Sequence, residues 1–175
     1  MHAVVVYESM FGNTRQIAEA IGQGLSEGAT TEVVEVGHAP SQVDGGIDLL
    51  VVGGPTHAFS MSRSSTRRDA GTKTGQPIES TGIGIREWIE ALASATRAGM
   101  PLVATFDTKV AKPVPGSAAK AAMKRLEKKG YRPASAPMTF KVDDMTGPLL
   151  DGELDRARAW GRVVAADARA HASLG

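Results

Sequence analysis

Two hydrophobic periods alternate along this chain, and that alternation most restricts the folds open to it. Ala3 to Tyr7 is a continuous apolar run rich in valine, the pattern of a strand buried on both faces of a parallel sheet. Thr14 to Glu27 follows, with Ile17, Ile21 and Leu25 recurring every four residues as one helical stripe. Thr31 to Val36 alternates valine with glutamate, which predicts a more exposed strand beside the first. Asp48 to Val52 reads as a second central strand stopped by Gly53-Gly54-Pro55. Ile85, Trp88, Ile89 and Leu92 mark a helix, Leu102 to Phe106 a strand, and Ser117 to Lys129 a helix with its lysines outward. Gly130 suits a left-handed C-cap. A weaker strand is predicted over Met138 to Val142. A last helix follows, capped by Asp151, with Leu154, Ala157, Gly161, Val164 and Ala168 on one face.

Strand–helix alternation over the whole length implies a parallel sheet covered on both faces. Right-handed crossovers then restrict the topology to a doubly wound α/β sandwich. With 175 residues the chain fits one domain, 1–175. The stretch 57–84, rich in Ser, Thr, Arg and Gly, is too long for a routine connection and is expected to be functional or mobile.

The absence of cysteine excludes thiolate catalysis, dithiol redox chemistry and thiolate-held zinc or iron–sulfur centres. Any redox role must therefore use a bound cofactor. Twenty Lys and Arg against nineteen Asp and Glu are too evenly balanced to argue for bulk nucleic-acid or membrane binding. No metal site is expected, since His2, His38 and His171 show no ligand spacing. The N-terminus lacks a basic start and long apolar core, and the run Leu49 to Val52 is far too short to span a bilayer. The expected location is the cytoplasm.

In an open parallel sheet, ligands bind at the carboxyl ends of the strands where the winding reverses. Three segments should meet there. Glu8-Ser9-Met10-Phe11-Gly12-Asn13-Thr14-Arg15 joins the first strand to the first helix, where backbone amides and the helix start can hold a phosphate. Ser9, Asn13 and Thr14 can add side-chain donors, or Asn13 or Thr14 can merely cap the helix. The second segment, Gly53 to Ser62, offers Thr56, His57 and Phe59 to line a planar ligand. His57 there can equally cap the turn after Pro55. The third, Thr105-Phe106-Asp107-Thr108-Lys109, could turn its amides and Asp107 toward the polar edge of a heterocycle. No Gly-x-Gly-x-x-Gly follows the first strand, no Walker lysine is present, and no serine lies in a Gly-x-Ser-x-Gly elbow.

The blocks Tyr7 to Thr14, Val51 to His57, and Gly147-Pro148-Leu149 through Gly152-Glu153-Leu154 with Trp160-Gly161 beyond occur in this order. In these blocks the chain resembles the flavodoxin-like family. The resemblance implies a five-stranded parallel sheet of order 2-1-3-4-5, of the short-chain type because nothing interrupts the last strand. It implies FMN as cofactor, its phosphate on Ser9, Met10, Gly12, Asn13 and Thr14, with Phe11 of the same loop also at the cofactor. The flavin ring would lie between Pro55, Thr56, His57 and Phe59 on one side and Thr105, Phe106, Asp107 and Thr108 on the other. Phe59 is then a stacking candidate, whereas Phe106 can equally point into the core. Arg63, Arg67, Arg68 and Lys73 fall beside this site as a solvated loop or a docking surface. If they dock a partner, it should be acidic, or the site should take an anionic substrate.

The function implied is an electron carrier that uses an unidentified redox partner protein and contributes no catalytic side chain. One alternative is an NAD(P)H-dependent FMN quinone reductase with 57–84 as a substrate lid. Another is a flavodoxin fold without FMN, acting as a binding or regulatory module.

Overall fold

The computed structural model describes residues 1–43, 45–95 and 99–172. Residues 173–175 of the expected 1–175 domain lie outside the described residues. Five parallel strands form the sheet: β1 (His2–Tyr7), β2 (Thr30–Glu35), β3 (Leu49–His57), β5 (Leu102–Val110) and β6 (Met138–Val142). Their spatial order is β2-β1-β3-β5-β6, and a two-residue strand β4 (Ser60–Met61) folds back antiparallel on β3. Setting β4 aside, this is the order 2-1-3-4-5 expected from the sequence. β2 is the exposed edge strand that its Val/Glu alternation predicted.

Helices cover both faces. α1 (Asn13–Ser26) and α5 (Glu153–Ala172) pack together on one face, where Ile17, Ile21 and Leu25 are fully buried. Phe106, Phe140 and Trp160 meet edge-to-face within that layer, centroids 6.2–6.4 Å apart, a geometry that aromatic quadrupoles favour. α3 (Ile85–Ala91) and α4 (Ala118–Lys128) cover the other face with Val4, Val6, Leu50, Val52 and Val103.

α4 ends as its glycine foretold. Tyr131 N–H bonds the Leu126 carbonyl at 3.1 Å and Gly130 N–H bonds Glu127 at 2.8 Å, with Gly130 at φ 90°. The start of α5 differs from expectation. Asp151 makes no cap, the helix begins at Glu153, and the Glu153 carboxylate instead accepts Lys141 N–H at 2.6 Å. Leu154 is 39% exposed, and Trp160 takes the buried place on that face.

β3 does not stop at Gly53-Gly54-Pro55. These residues continue the strand and pair with Phe106, Asp107 and Thr108 of β5. Gly53 is there because any Cβ would collide with the Phe106 ring, so its glycine marks a close approach rather than a turn.

Candidate functional site

The site begins where β1 ends. Ser9 Oγ accepts the Gly12 N–H at 3.1 Å, and Gly12 turns the chain into α1 at φ 86°, a left-handed conformation suited to glycine. The first helical amide with a backbone acceptor is Gln16, bonded to Gly12 O at 3.0 Å. The amides of Phe11, Asn13, Thr14 and Arg15 have no acceptor among the described residues. They stand at the positive end of a 14-residue helix, which is the arrangement that binds phosphate.

A second segment braces this loop. Glu79 N–H bonds Met10 O and Ser80 N–H bonds Ser9 O, both at 2.9 Å, while Ser80 Oγ accepts Ser9 N–H at 3.0 Å. Arg15 and Glu79 are paired at 3.1 Å beside Gly12. The loop is therefore held open from below by backbone bonds, not by its own collapse.

Beside it lies a cleft of about 400 Å³, within the range of small-molecule and cofactor sites. Met10, Phe11, Asn13 and Thr14 form its floor at the helix start, and Pro55, Thr56, His57 and Ala58 form one wall. The stretch 57–84 is not a plain loop. It holds β4 and an 11-residue helix, α2 (Ser64–Thr74), whose Thr66, Asp69, Ala70 and Lys73 face the cleft. Opposite stand Thr108, Lys109, Val110 and Lys112, then Val142, Asp144 and Met145.

His57 is half-buried in this wall. Burial holds its imidazole below the ordinary value near 6.5, a bond to the Thr66 backbone pulls the other way, and the Arg67 charge lowers it further. It is therefore neutral at pH 7. His57 pairs with Ser60 in the β3–β4 hairpin.

α2 is tied to the base of the β1–α1 loop by buried polar groups. Glu8 is 1% exposed and accepts Ile85 N–H at 2.9 Å and the Ser62 hydroxyl. Arg67 donates to Ser62 Oγ at 2.9 Å and to both oxygens of Glu87 at 3.2 and 3.3 Å, with Glu8 4.0 Å away. Burial raises the Glu8 pKa above its ordinary value, against the lowering effects of Ser62, Ile85 and Arg67. The reading of Arg67 as a solvated loop cation is thus corrected: its guanidinium is an internal strut. Arg63, Arg68 and Lys73 are exposed.

The third expected segment departs most from its sequence reading. Thr105 to Thr108 is not a loop but part of β5, which runs to Val110. Strand alternation divides its side chains between faces. Phe106 enters the core, and Thr105 donates to Ala119 O at 3.0 Å. Asp107 is fully buried, its Oδ2 accepting from Thr56 Oγ1 (2.9 Å), Ser117 Oγ (2.6 Å) and Ala119 N–H (3.0 Å). It fastens the start of α4 instead of facing the cleft. Of the four, Thr108 alone lines it, its hydroxyl bonded to that of Thr14 at 2.7 Å.

Asn13 and Thr14 do not cap α1, since they lie inside its first turn. Phe59 stands outside the cleft lining and is 57% exposed. The wall residues missed by sequence reasoning are Thr66, Asp69 and Ala70 of α2, Val110 and Lys112, and the segment 142–145, whereas Lys73 and Lys109 fall where the sequence put them. The only sequence signal for the α2 wall was the length of 57–84.

The flavodoxin family model matches residues 5–66, which hold the loop, β2 and the β3–β4 hairpin. The fold is flavodoxin-like. It superimposes over 97% of its length on 99% of a flavodoxin from the domain Archaea, at TM-score 0.63 and 18% identity. A flavodoxin from Streptococcus pneumoniae gives TM-score 0.63 at 16% identity, over 95% of this chain and 99% of that one. The rubredoxin oxygen:oxidoreductase of Desulfovibrio gigas gives TM-score 0.65 at 14% identity, with 97% of this chain on 36% of that one. The flavodoxin-like chain thus spans the full length of single-domain flavodoxins and about a third of the larger oxidoreductase. Comparison with the curated proteins finds no match. No helix among the described residues is long and apolar enough to cross a membrane.

Proposed function

We propose that the cleft binds FMN and that the chain works as an electron-transfer flavoprotein. The observation that carries this reading is the row of unpaired amides at Phe11, Asn13, Thr14 and Arg15, opening onto a cleft of about 400 Å³. A phosphate needs such donors, and a tricyclic ring needs such a slot. FMN, when bound, supplies the redox chemistry. The chain's own residues bind and orient it.

The hydroxyl of Thr14, held by Thr108, and the side chain of Asn13 extend the donor set toward the phosphate. Pro55, Thr56, His57 and Ala58 form the wall on which the ring would rest, with Val110, Val142 and Met145 opposite. Neutral His57 places an imidazole, not an imidazolium, next to that ring. No side chain is assigned as a general acid or base. The finding of flavodoxins among the structural neighbours supports the cofactor class.

The test is an equilibrium titration of the apoprotein with FMN, read by fluorescence quenching and by the visible absorbance bands. Saturable 1:1 quenching below tens of micromolar supports the reading. Unchanged fluorescence at that concentration defeats it.

A further inference from the structure

The hairpin between β3 and β4 breaks a local rule with no packing gain. Its two turn residues, Ala58 and Phe59, both have positive φ, 43° and 71°. Two-residue hairpins of that kind favour Asn-Gly because side chains are strained there. Phe59 nevertheless carries an aromatic ring into that conformation and leaves it 57% exposed. An exposed aromatic on a strained turn beside a cleft has the character of a contact residue.

The charge around it is one-sided. Lys109 and Lys112 stand on the cleft side, and Lys109 Nζ bonds the carbonyl of Gly116, whose Cα abuts the Phe59 backbone. On the far side Arg86 grips β4, donating to Met61 O at 2.7 Å and Ser62 O at 3.0 Å. Burial lowers the Arg86 pKa, and the positive charges of Arg125 and Arg63 lower it further, so these cations crowd one another. The nearby acids are already used: Glu87 is paired with Arg67, and Glu90 with Arg125. Asp69 and Asp144 line the same cleft as Lys73, Lys109 and Lys112, so cations outnumber acids there too. A chain of net charge +1 thus gathers cations around a single exposed aromatic.

We infer that the β3–β4 hairpin is the docking face for an acidic protein partner, with Phe59 as its apolar anchor and Arg63, Arg86, Lys109 and Lys112 as its charged rim. The inference rests on the electron-transfer reading for the partner's redox character. The surface itself stands on the exposure and charge described. A carboxylate ring on the partner would steer encounter, and the ring of Phe59 would fill its apolar centre.

The experiment uses two ferric c-type cytochromes of similar potential, one acidic and one basic. FMN loading is checked first by absorbance, so failure of the cofactor reading shows at that step. Reduced, FMN-loaded protein is then mixed with each cytochrome in a stopped-flow instrument. Each haem takes one electron, so two cytochromes return one two-electron-reduced flavin to its oxidised form, which releases the protons it took up on reduction. The acidic cytochrome should react at least tenfold faster at low ionic strength, its rate falling as salt rises, with the opposite slope for the basic one. Arg63→Glu with Lys112→Glu should reverse that order. Phe59→Ala should slow the acidic cytochrome fivefold or more and leave its salt slope unchanged.

In parallel, the apoprotein is titrated with both cytochromes by NMR, which decides the docking question with or without flavin. Shifts confined to 57–63, Arg86 and 109–116 with the acidic cytochrome support the inference. A faster basic cytochrome, a rate indifferent to salt, unaltered variants, or shifts elsewhere on the chain would overturn it.

Discussion

The hydroxyls of Thr14 and Thr108 meet at 2.7 Å across 94 residues of sequence. That bond joins the first turn of α1 to the end of β5 and fixes the floor of the cleft against its wall. The two threonines should respond differently to change. Thr14→Glu sets a bulky anion where the phosphate would sit and should weaken FMN binding at least a hundredfold while far-UV circular dichroism stays native. Thr108→Val removes one buried hydrogen bond, costs about 1 kcal/mol of stability, and should weaken FMN only severalfold. Titration and urea melts of both variants check this.

Gly53 is the place where β3 meets the Phe106 ring. Gly53→Ala overpacks that contact and should cost about 2 kcal/mol, which for a chain of this size lowers the melting temperature by roughly 4–8 °C. Calorimetry of the apoprotein measures it. Gly45→Ala, where a Cβ meets nothing, should leave the melting temperature within about 2 °C.

Glu8 gives stability a pH dependence with a definite sign. Its folded pKa is raised above the ordinary 4.5 by burial. Between the unfolded and folded values the native state binds the extra proton, so this group's contribution falls as pH rises through that window. The penalty is fully present above the folded value and absent below about pH 4.5. Glu8→Gln should abolish that fall. Urea midpoints of both proteins at a series of pH values from 4.5 upward read it directly.

The hairpin turn should trade stability for contact. Ala58→Asn with Phe59→Gly supplies the residues that positive φ favours and should stabilise the protein by about 1 kcal/mol. The same pair removes the exposed ring. A raised urea midpoint together with slower reaction of the acidic cytochrome is the expected outcome.

Much of the fold was legible in the residues, and the reasons are local. β1 and α1 have long uninterrupted patterns, and their neighbours in space leave those patterns intact. Gly53-Gly54-Pro55 misled because glycine and proline ordinarily punctuate, whereas here the reason for glycine is Phe106, more than fifty residues away. α2 had no apolar stripe to reveal it. Its buried side chains are Arg67 and Ala70, and Arg67 is buried only because Glu8 and Glu87 wait for it. Asp107 looked like a ligand-facing carboxylate because it ends a strand run, but its partners Thr56, Ser117 and Ala119 turn it into the clasp of α4. The β1–α1 loop was readable as a candidate anion site since its glycine, hydroxyl and helix start are contiguous. The wall of Pro55, Thr56 and His57 was readable too, whereas those from α2 and 142–145 were not.

The most direct measurement is the affinity of the apoprotein for FMN set beside that for riboflavin, which lacks the phosphate. If the row of free amides before α1 is an anion site, FMN should bind at least a hundredfold more tightly, with its fluorescence quenched on binding. Equal affinity for the two, or no quenching of either, would contradict the account.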